Sequence, residues 1–233
     1  MQSNGVLSIV LACRNADQFI EAALSSIRTY AVDAELIVVD GQSTDATLEI
    51  LECHRSDISK LVSEPDEGIY DAISKGIQLA SGAWIYVLGA DDCLLPGFLN
   101  VVSKLGNPDV AYYGSVRHKH SQRIYDGKFH SIKLLKRNIC HQAIFFPKRH
   151  WERLGGFDRR FPLLADYALN LKAFWNAGMR YEYVDEVVCE YNETGASATR
   201  IDYAFSTIKP RLIERSAPWW LVIAYKLFRF LRQ

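Results

Sequence analysis

Apolar and polar positions along the first hundred residues fall into two alternating kinds of block. Largely apolar runs over Val6 to Ala12, Glu35 to Asp40 and Trp84 to Gly89 read as buried strands, and Ser59 to Ser63 as a short strand between the last two. Between them, apolar residues recur every three or four positions. Phe19, Ile20, Ala23, Leu24 and Ile27 mark one helix through Tyr30, Thr44 to Cys53 a second, and Ile69, Ile73, Ile77 and Leu79 a third that Ser81-Gly82 closes. Ser43 is placed to cap the second helix. The order β-α-β-α-β-α-β predicts an α/β fold with a mostly parallel, doubly wound sheet flanked by helices, connected by right-handed crossovers.

The second half is less regular. It predicts a helix over Pro96 to Leu105, a strand over Val110 to Val116, a hairpin across Arg123 to Phe129 and a strand over Ala143 to Phe146. A helix over Lys148 to Leu154, the turn Gly155-Gly156-Phe157-Asp158, an amphipathic helix over Ala165 to Ala177 stopped by Gly178, and a strand over Arg180 to Tyr191 follow. Residues 1–200 then form one domain, divided near 105, and residues 201–233 an amphipathic helical tail.

Ligands of open α/β sheets bind outside the carboxyl ends of the strands. The fourth strand ends there in Asp91-Asp92, two adjacent carboxylates that repel each other unless a cation relieves them. A metal holding a phosphate-bearing substrate is the chemistry this implies. Lys+Arg and Asp+Glu are equal at 27 each among 233 residues, so no overall field recruits nucleic acid. The five cysteines are scattered without CxxC spacing, which argues for reduced thiols in a cytoplasmic protein and against a zinc site. Met1 to Gly5 is short and polar, unlike a secretory signal.

The tail changes the picture locally. Pro218 to Tyr225 is strongly apolar, and Lys226, Arg229 and Arg232 are interleaved with Leu227, Phe228, Phe230 and Leu231. That is shorter than the roughly 20 residues a spanning helix needs. Residues 218–232 suit a membrane interface, and equally a helix docked on its own domain or on a second subunit.

Four ordered blocks carry a resemblance: Leu7 to Asn15, Val38 to Asp45, Asp66 to Gly76 and Gly89-Ala90-Asp91-Asp92. Over about residues 6 to 100, with echoes to about 200, the chain resembles the inverting family 2 glycosyltransferases. Within them it is similar to the bacterial branch that builds capsular, colanic-acid-like and amylovoran-like exopolysaccharides. The resemblance implies a GT-A fold, with a nucleotide-sugar half to about 105 and an acceptor half over 106–200. It implies a nucleoside-diphosphate sugar donor, UDP- before GDP-linked, Mn²⁺ or Mg²⁺, and a saccharide or lipid-linked acceptor. Hard oxygen ligands suit those ions, and a metal offsets charge on a departing diphosphate. A non-catalytic nucleotide-sugar-binding subunit and a sugar nucleotidyltransferase are competing readings. The second lacks the Gly-rich basic loop it needs near Leu11 to Asn15.

Carried onto this sequence, the family's motifs put Ala12, Arg14 and Asn15 at the nucleotide and Asp40 at the ribose or base; Asp40 also suits a turn cap. Asp66 falls near the base. Lys75 falls near the donor, or in an i,i+4 ion pair with Asp71. Asp91 is assigned to the donor sugar or ribose and Asp92 to the metal. His141, with Gln142, faces the diphosphate or acceptor, or is structural. Asp166 is the candidate base, and its place at a helix start also favours a carboxylate. Gly195-Ala196-Ser197 resembles a loop closing over the donor. The chain departs from the family pattern at Ser74, where many relatives have Asn, at Gly89, where they often carry Asp or Asn, and at Ala165, where they often carry Glu.

Overall fold

The computed structural model describes residues 7–31, 33–176, 178–194 and 200–230. Val6, Ala177, Leu231, Arg232 and the loop Gly195-Ala196-Ser197 lie outside the described residues. The first half follows the predicted order: β1 (Leu7–Cys13), α1 (Ile20–Tyr30), β2 (Glu35–Asp40), α2 (Thr47–Cys53), β3 (Lys60–Ser63), α3 (Ile69–Leu79) and β4 (Trp84–Gly89). Then come β5 (Cys93–Leu94), α4 (Gly97–Val102), β6 (Val110–His118), β7 (Ile124–Tyr125), α5 (Ser131–Lys136), a 3₁₀ turn (His141–Ala143), β8 (Ile144–Pro147) and α6 (Lys148–Arg153). The chain continues through α7 (Ala165–Ala173), β9 (Arg180–Tyr191), α8 (Tyr203–Ser216) and α9 (Trp219–Phe230).

The strands form one sheet in the order β3-β2-β1-β4-β8-β6-β9-β5, with β7 added on β6. β1, β2, β3 and β4 pair in parallel, and β6 runs parallel to β9. β8 lies antiparallel to both β4 and β6, so the six longer parallel strands share one direction across it. Their carboxyl ends therefore open on one edge, as the doubly wound reading requires.

Alternation along each strand feeds two cores. Val10, Ile37, Val39, Ile85 and Val87 face α3, α5, α7 and α8. Ile9, Leu11, Leu36, Val38 and Tyr86 face α1, α2 and α4. Gly76 lets α3 close on β1, since a Cβ there would meet Val10 Cγ1 at 2.4 Å.

Three local expectations are corrected. α2 starts at Thr47, not Thr44, because the Ser43 hydroxyl donates to Asp40 and an Asp45 oxygen takes the Thr47 amide at 3.0 Å. Ser43 is thus bound backwards to its strand and caps nothing. The hairpin contracts to two residues of β7 paired with Val116 and Arg117. β5 and α5 are additions, two and six residues long, too short to show a period.

At the opposite edge, Glu35 accepts from the Ser8 hydroxyl at 2.6 Å and the Ser81 amide at 2.7 Å, and pairs with Lys60 at 3.0 Å. Burial alone raises its pKa, but the Ser8, Ser81 and Lys60 hydrogen bonds outweigh it and bring it down to about 2. A carboxylate depressed from the ordinary 4.5 stabilises the fold fully above that value and loses its contribution as pH falls toward 2. Glu35→Gln is expected to lower the melting temperature at neutral pH, by about 1–3 kcal/mol of stability. The gap to the parent chain should close between pH 4.5 and 2, as followed by thermal melts across that range.

Candidate active site

A cleft of about 820 Å³ opens at the carboxyl ends of β1, β4 and β9. Ala12 near the end of β1, Arg14 and Asn15 in the loop after it, Asp66 before α3, and Asp91 after β4 line it. His141, Asp166 and Asn192 complete the far wall. Seven of the ten residues singled out from the sequence meet here: Ala12, Arg14, Asn15, Asp66, Asp91, His141 and Asp166. Asp40, Lys75 and Asp92 are not on its lining.

The turn after β4 separates its two carboxylates. Asp92 is 1% exposed and points into the protein. Its Oδ2 accepts from Gln142 Nε2 at 2.8 Å and the Gly89 amide at 3.3 Å, and its Oδ1 from the Asn192 amide at 2.8 Å. Burial first, then the Asp91 charge, push its pKa up to about 6. Asp91 stays at the cleft, with Oδ2 held by Asn192 Nδ2 at 2.8 Å. Gly89 matches this packing: a Cβ there would lie 2.6 Å from Asp92 Oδ2 and 3.1 Å from Asp91 Oδ1.

Around β1 and β2 the backbone is fixed from beneath. Asn15 adopts a φ of 50°. Its amide donates to Ser43 Oγ at 2.8 Å, and its Oδ1 takes the Thr44 amide at 2.9 Å. Asp40 is wholly buried and accepts from the Ser43 amide and hydroxyl and from Ser63 Oγ at 2.7 Å, which locks the turn after β2 to β3. Asp66 takes the Gly68 amide at 2.8 Å, and its other oxygen lies against Gly41, where a Cβ would meet it at 2.2 Å. Lys75 is held by Glu64 at 2.9 Å and by Asp71 at 3.3 Å, and donates to the Pro65 carbonyl at 2.6 Å. That lysine steadies the loop preceding Asp66.

Asp166 opens α7 and is the most fully hydrogen-bonded side chain of the cleft. Oδ1 accepts from Tyr70 OH and the Tyr167 amide, both at 2.8 Å. Oδ2 accepts from Asn138 Nδ2 at 2.6 Å and lies 3.3 Å from His141 Nδ1. Asn138 is fixed in turn by Asn170, which takes a hydrogen bond from Tyr181 OH at 3.0 Å. Burial, then the Asp166 charge, hold the Tyr70 phenol well above its ordinary range, so it remains a donor. Tyr70, Asn138 and Asn192 were missed as site residues. Only Asn192 had a signal, its place directly after a strand; Tyr70 and Asn138 meet Asp166 across 96 and 28 positions of sequence.

Among the described residues no group of three or more His, Cys, Asp and Glu side chains gathers to hold a metal ion. The donor set suits a cation that needs few protein ligands. Mg²⁺ is commonly held by one or two carboxylates together with substrate phosphates, and Asp91 at the cleft fits that pattern. Asp92, with both oxygens occupied by N–H donors, fits it less well.

The model of the family described as Glycosyl transferase family 2 matches residues 8–187. A PGL/p-HBAD biosynthesis glycosyltransferase of Mycobacterium tuberculosis is 36% identical over 210 residues, covering 86% of this chain and 82% of that one. Chondroitin synthase of Escherichia coli is 27% identical over 179 residues, 72% of this chain and 26% of the synthase. Among solved structures, S. aureus TarS in complex with UDP superposes with a TM-score of 0.71 at 18% identity, covering 91% of this chain and 65% of that chain. The mannosyltransferase PcManGT from Pyrobaculum calidifontis, in complex with GDP-Man and Mn²⁺, gives 0.64 at 19% identity, over 91% and 72%. Both share the fold, a curled mixed sheet between helices.

Gln142→Leu is expected to cost about 2–3 kcal/mol in urea denaturation, since it strips a side-chain donor from a buried carboxylate. Lys75→Met, which loses only partly exposed ion pairs, is expected to cost 1 kcal/mol or less, about the limit for such pairs.

Proposed function

The chain belongs to glycosyl transferase family 2, and from that premise we propose that it transfers a sugar, with inversion, from a nucleoside-diphosphate sugar to an acceptor hydroxyl. The enzyme class is that of its relatives; the donor, acceptor and roles below are the reading the site supports best. The observation that carries it is the meeting of Asp91 and Asp166 on one cleft, from elements far apart in sequence.

The nucleotide falls to the side of Ala12, Arg14, Asn15 and Asp66. Arg14 supplies positive charge there, and Asp66 a hydrogen-bond acceptor for base or ribose. Asp40 and Lys75 act beneath this wall by holding its turns. UDP is the preferred diphosphate, in keeping with TarS; GDP, as in the mannosyltransferase complex, is the alternative. Asp91 would hold Mn²⁺ or Mg²⁺ jointly with the donor's phosphate oxygens. When bound, such an ion supplies charge neutralisation for the departing diphosphate.

Asp166 takes the proton of the acceptor hydroxyl as that oxygen bonds the anomeric carbon. The bond from this carbon to the diphosphate oxygen breaks in the same step, and the diphosphate leaves with the electron pair. One displacement needs no enzyme nucleophile, and the thiols that line the cleft are poorly suited to be one: burial pushes those of Cys13 and Cys140 up to about 12 and higher still. His141 and Asn138 keep the Asp166 carboxylate turned to the cleft. The acceptor is read as a lipid-linked saccharide in surface-polysaccharide biosynthesis, handled by a peripheral protein at the inner face of the plasma membrane. The chondroitin synthase among the relatives accords with a polysaccharide product.

Asp166→Asn is expected to lower transfer about 10²–10⁴-fold while donor affinity, measured by calorimetry, stays within a factor of about two. An Asp166→Asn enzyme with undiminished turnover overturns the assignment. Tyr70→Phe removes one hydrogen bond to the base, worth about 1 kcal/mol. It is expected to lower kcat about five-fold and leave KM for the donor unchanged.

A further inference from the structure

α9 presents two apolar faces, and only one is covered. At 100° per residue, Trp219, Phe230, Ile223, Leu227 and Trp220 fall in an arc of about 100°. All five are half or more exposed, from Trp220 at 50% to Phe230 at 77%. Leu221, 1% exposed, and Tyr225 lie on the opposite side and pack into the core with α5 and α8. The helix is therefore anchored by one stripe and holds the other outward in a fixed orientation. A stripe of that width, with aromatic rings at both ends, is the size a helix lays into a surface.

Charge says which surface. Residues 201–233 contain six basic and two acidic residues, whereas the chain as a whole has 27 of each. Arg211 and Arg215 on α8 are exposed, and Lys226 borders the apolar arc, paired with Glu214 at 3.0 Å. Lys209 is drawn inward over the Tyr167 ring at 4.5 Å and does not contribute. Tryptophans beside cations match the headgroup level of a bilayer, and nearby cations are drawn toward an anionic leaflet.

We propose that the outward stripe of α9 is a docking surface for an anionic lipid bilayer. This deepens the reading of a lipid-linked acceptor and rests on it for its purpose, though not for its physics. The docked element is tied to the reaction site. Asp202, which caps α8, takes the amides of Leu163 and Leu164 at 3.1 and 3.2 Å, and those residues line the cleft just before Asp166. α8 spans 14 residues, about 21 Å at 1.5 Å each. Docking through α9 would thus hold the acceptor wall close to the lipid surface.

The test is co-sedimentation of the full chain with vesicles of equal parts phosphatidylcholine and phosphatidylglycerol, against phosphatidylcholine alone. Binding is expected to the mixed vesicles, weakened by high salt, with a blue shift of tryptophan emission. The triple substitution Trp219→Ser, Ile223→Ser, Leu227→Ser removes three of the five exposed apolar side chains of the stripe. It is expected to reduce vesicle binding at least ten-fold, with an unchanged circular dichroism spectrum and unchanged donor binding in solution. Absence of binding to the mixed vesicles overturns the proposal, as does binding that the triple substitution leaves intact. A dimer in light scattering that the same substitutions dissociate also overturns it, by giving the stripe to a second copy. Vesicle binding is read without catalysis, so a chain that docks and transfers no sugar sinks the proposed reaction and not the docking.

Discussion

The buried carboxylate of Asp92 is the interaction on which the cleft depends. It joins three elements at this edge: the end of β4 through Gly89, the 3₁₀ turn before β8 through Gln142, and the end of β9 through Asn192. A buried charge is tolerable only when hydrogen-bonded, and here three N–H donors meet it. With Asp92 committed inward, the turn turns Asp91 outward, where Asn192 fixes it a second time. The two adjacent acids thus differ in their surroundings: Asp92 ties together the ends of β4 and β9 and the 3₁₀ turn, and Asp91 faces the cleft. Gly89 belongs to the same arrangement, since a side chain there would press on both carboxylates.

A second network stands opposite. Asp166 collects donors from α3, from the segment before the 3₁₀ turn and from its own helix, and Asn170 and Tyr181 brace that segment from behind. Each donor removes rotational freedom from the carboxylate, and preorganisation of that kind is what a proton acceptor in a displacement reaction needs. The same wall is pinned by Asp202, the cap of α8, which ties the tail to the segment just before Asp166.

Much of this was legible in the sequence, for a physical reason. β1, β2 and β4 are buried on both faces, so each reads as a largely apolar run, and each ends where the sheet edge begins. That rule alone located Asp40 and the Asp91-Asp92 turn. What it left open was which way a strand-end carboxylate points. Asp40 and Asp92 both turned inward, because hydroxyl and amide donors from nearby turns and strand ends meet them there; those partners lie 3 to 100 positions away and carry no periodic signal. Lys75 shows the local rule holding: its i,i+4 relation to Asp71 became an ion pair. The second half was harder to read, since β5 and β7 span two residues each and β8 four, too few to display alternation.

The central claim is the division of labour between Asp91 and Asp92. Isothermal titration of UDP, with and without Mn²⁺, into Asp91→Asn and Asp92→Asn chains tests it most directly. The account predicts that Asp91→Asn loses the Mn²⁺-dependent gain in UDP affinity while keeping its melting temperature. Asp92→Asn keeps that gain and melts lower. The reverse pattern, Mn²⁺ dependence lost in Asp92→Asn and retained in Asp91→Asn, would contradict it.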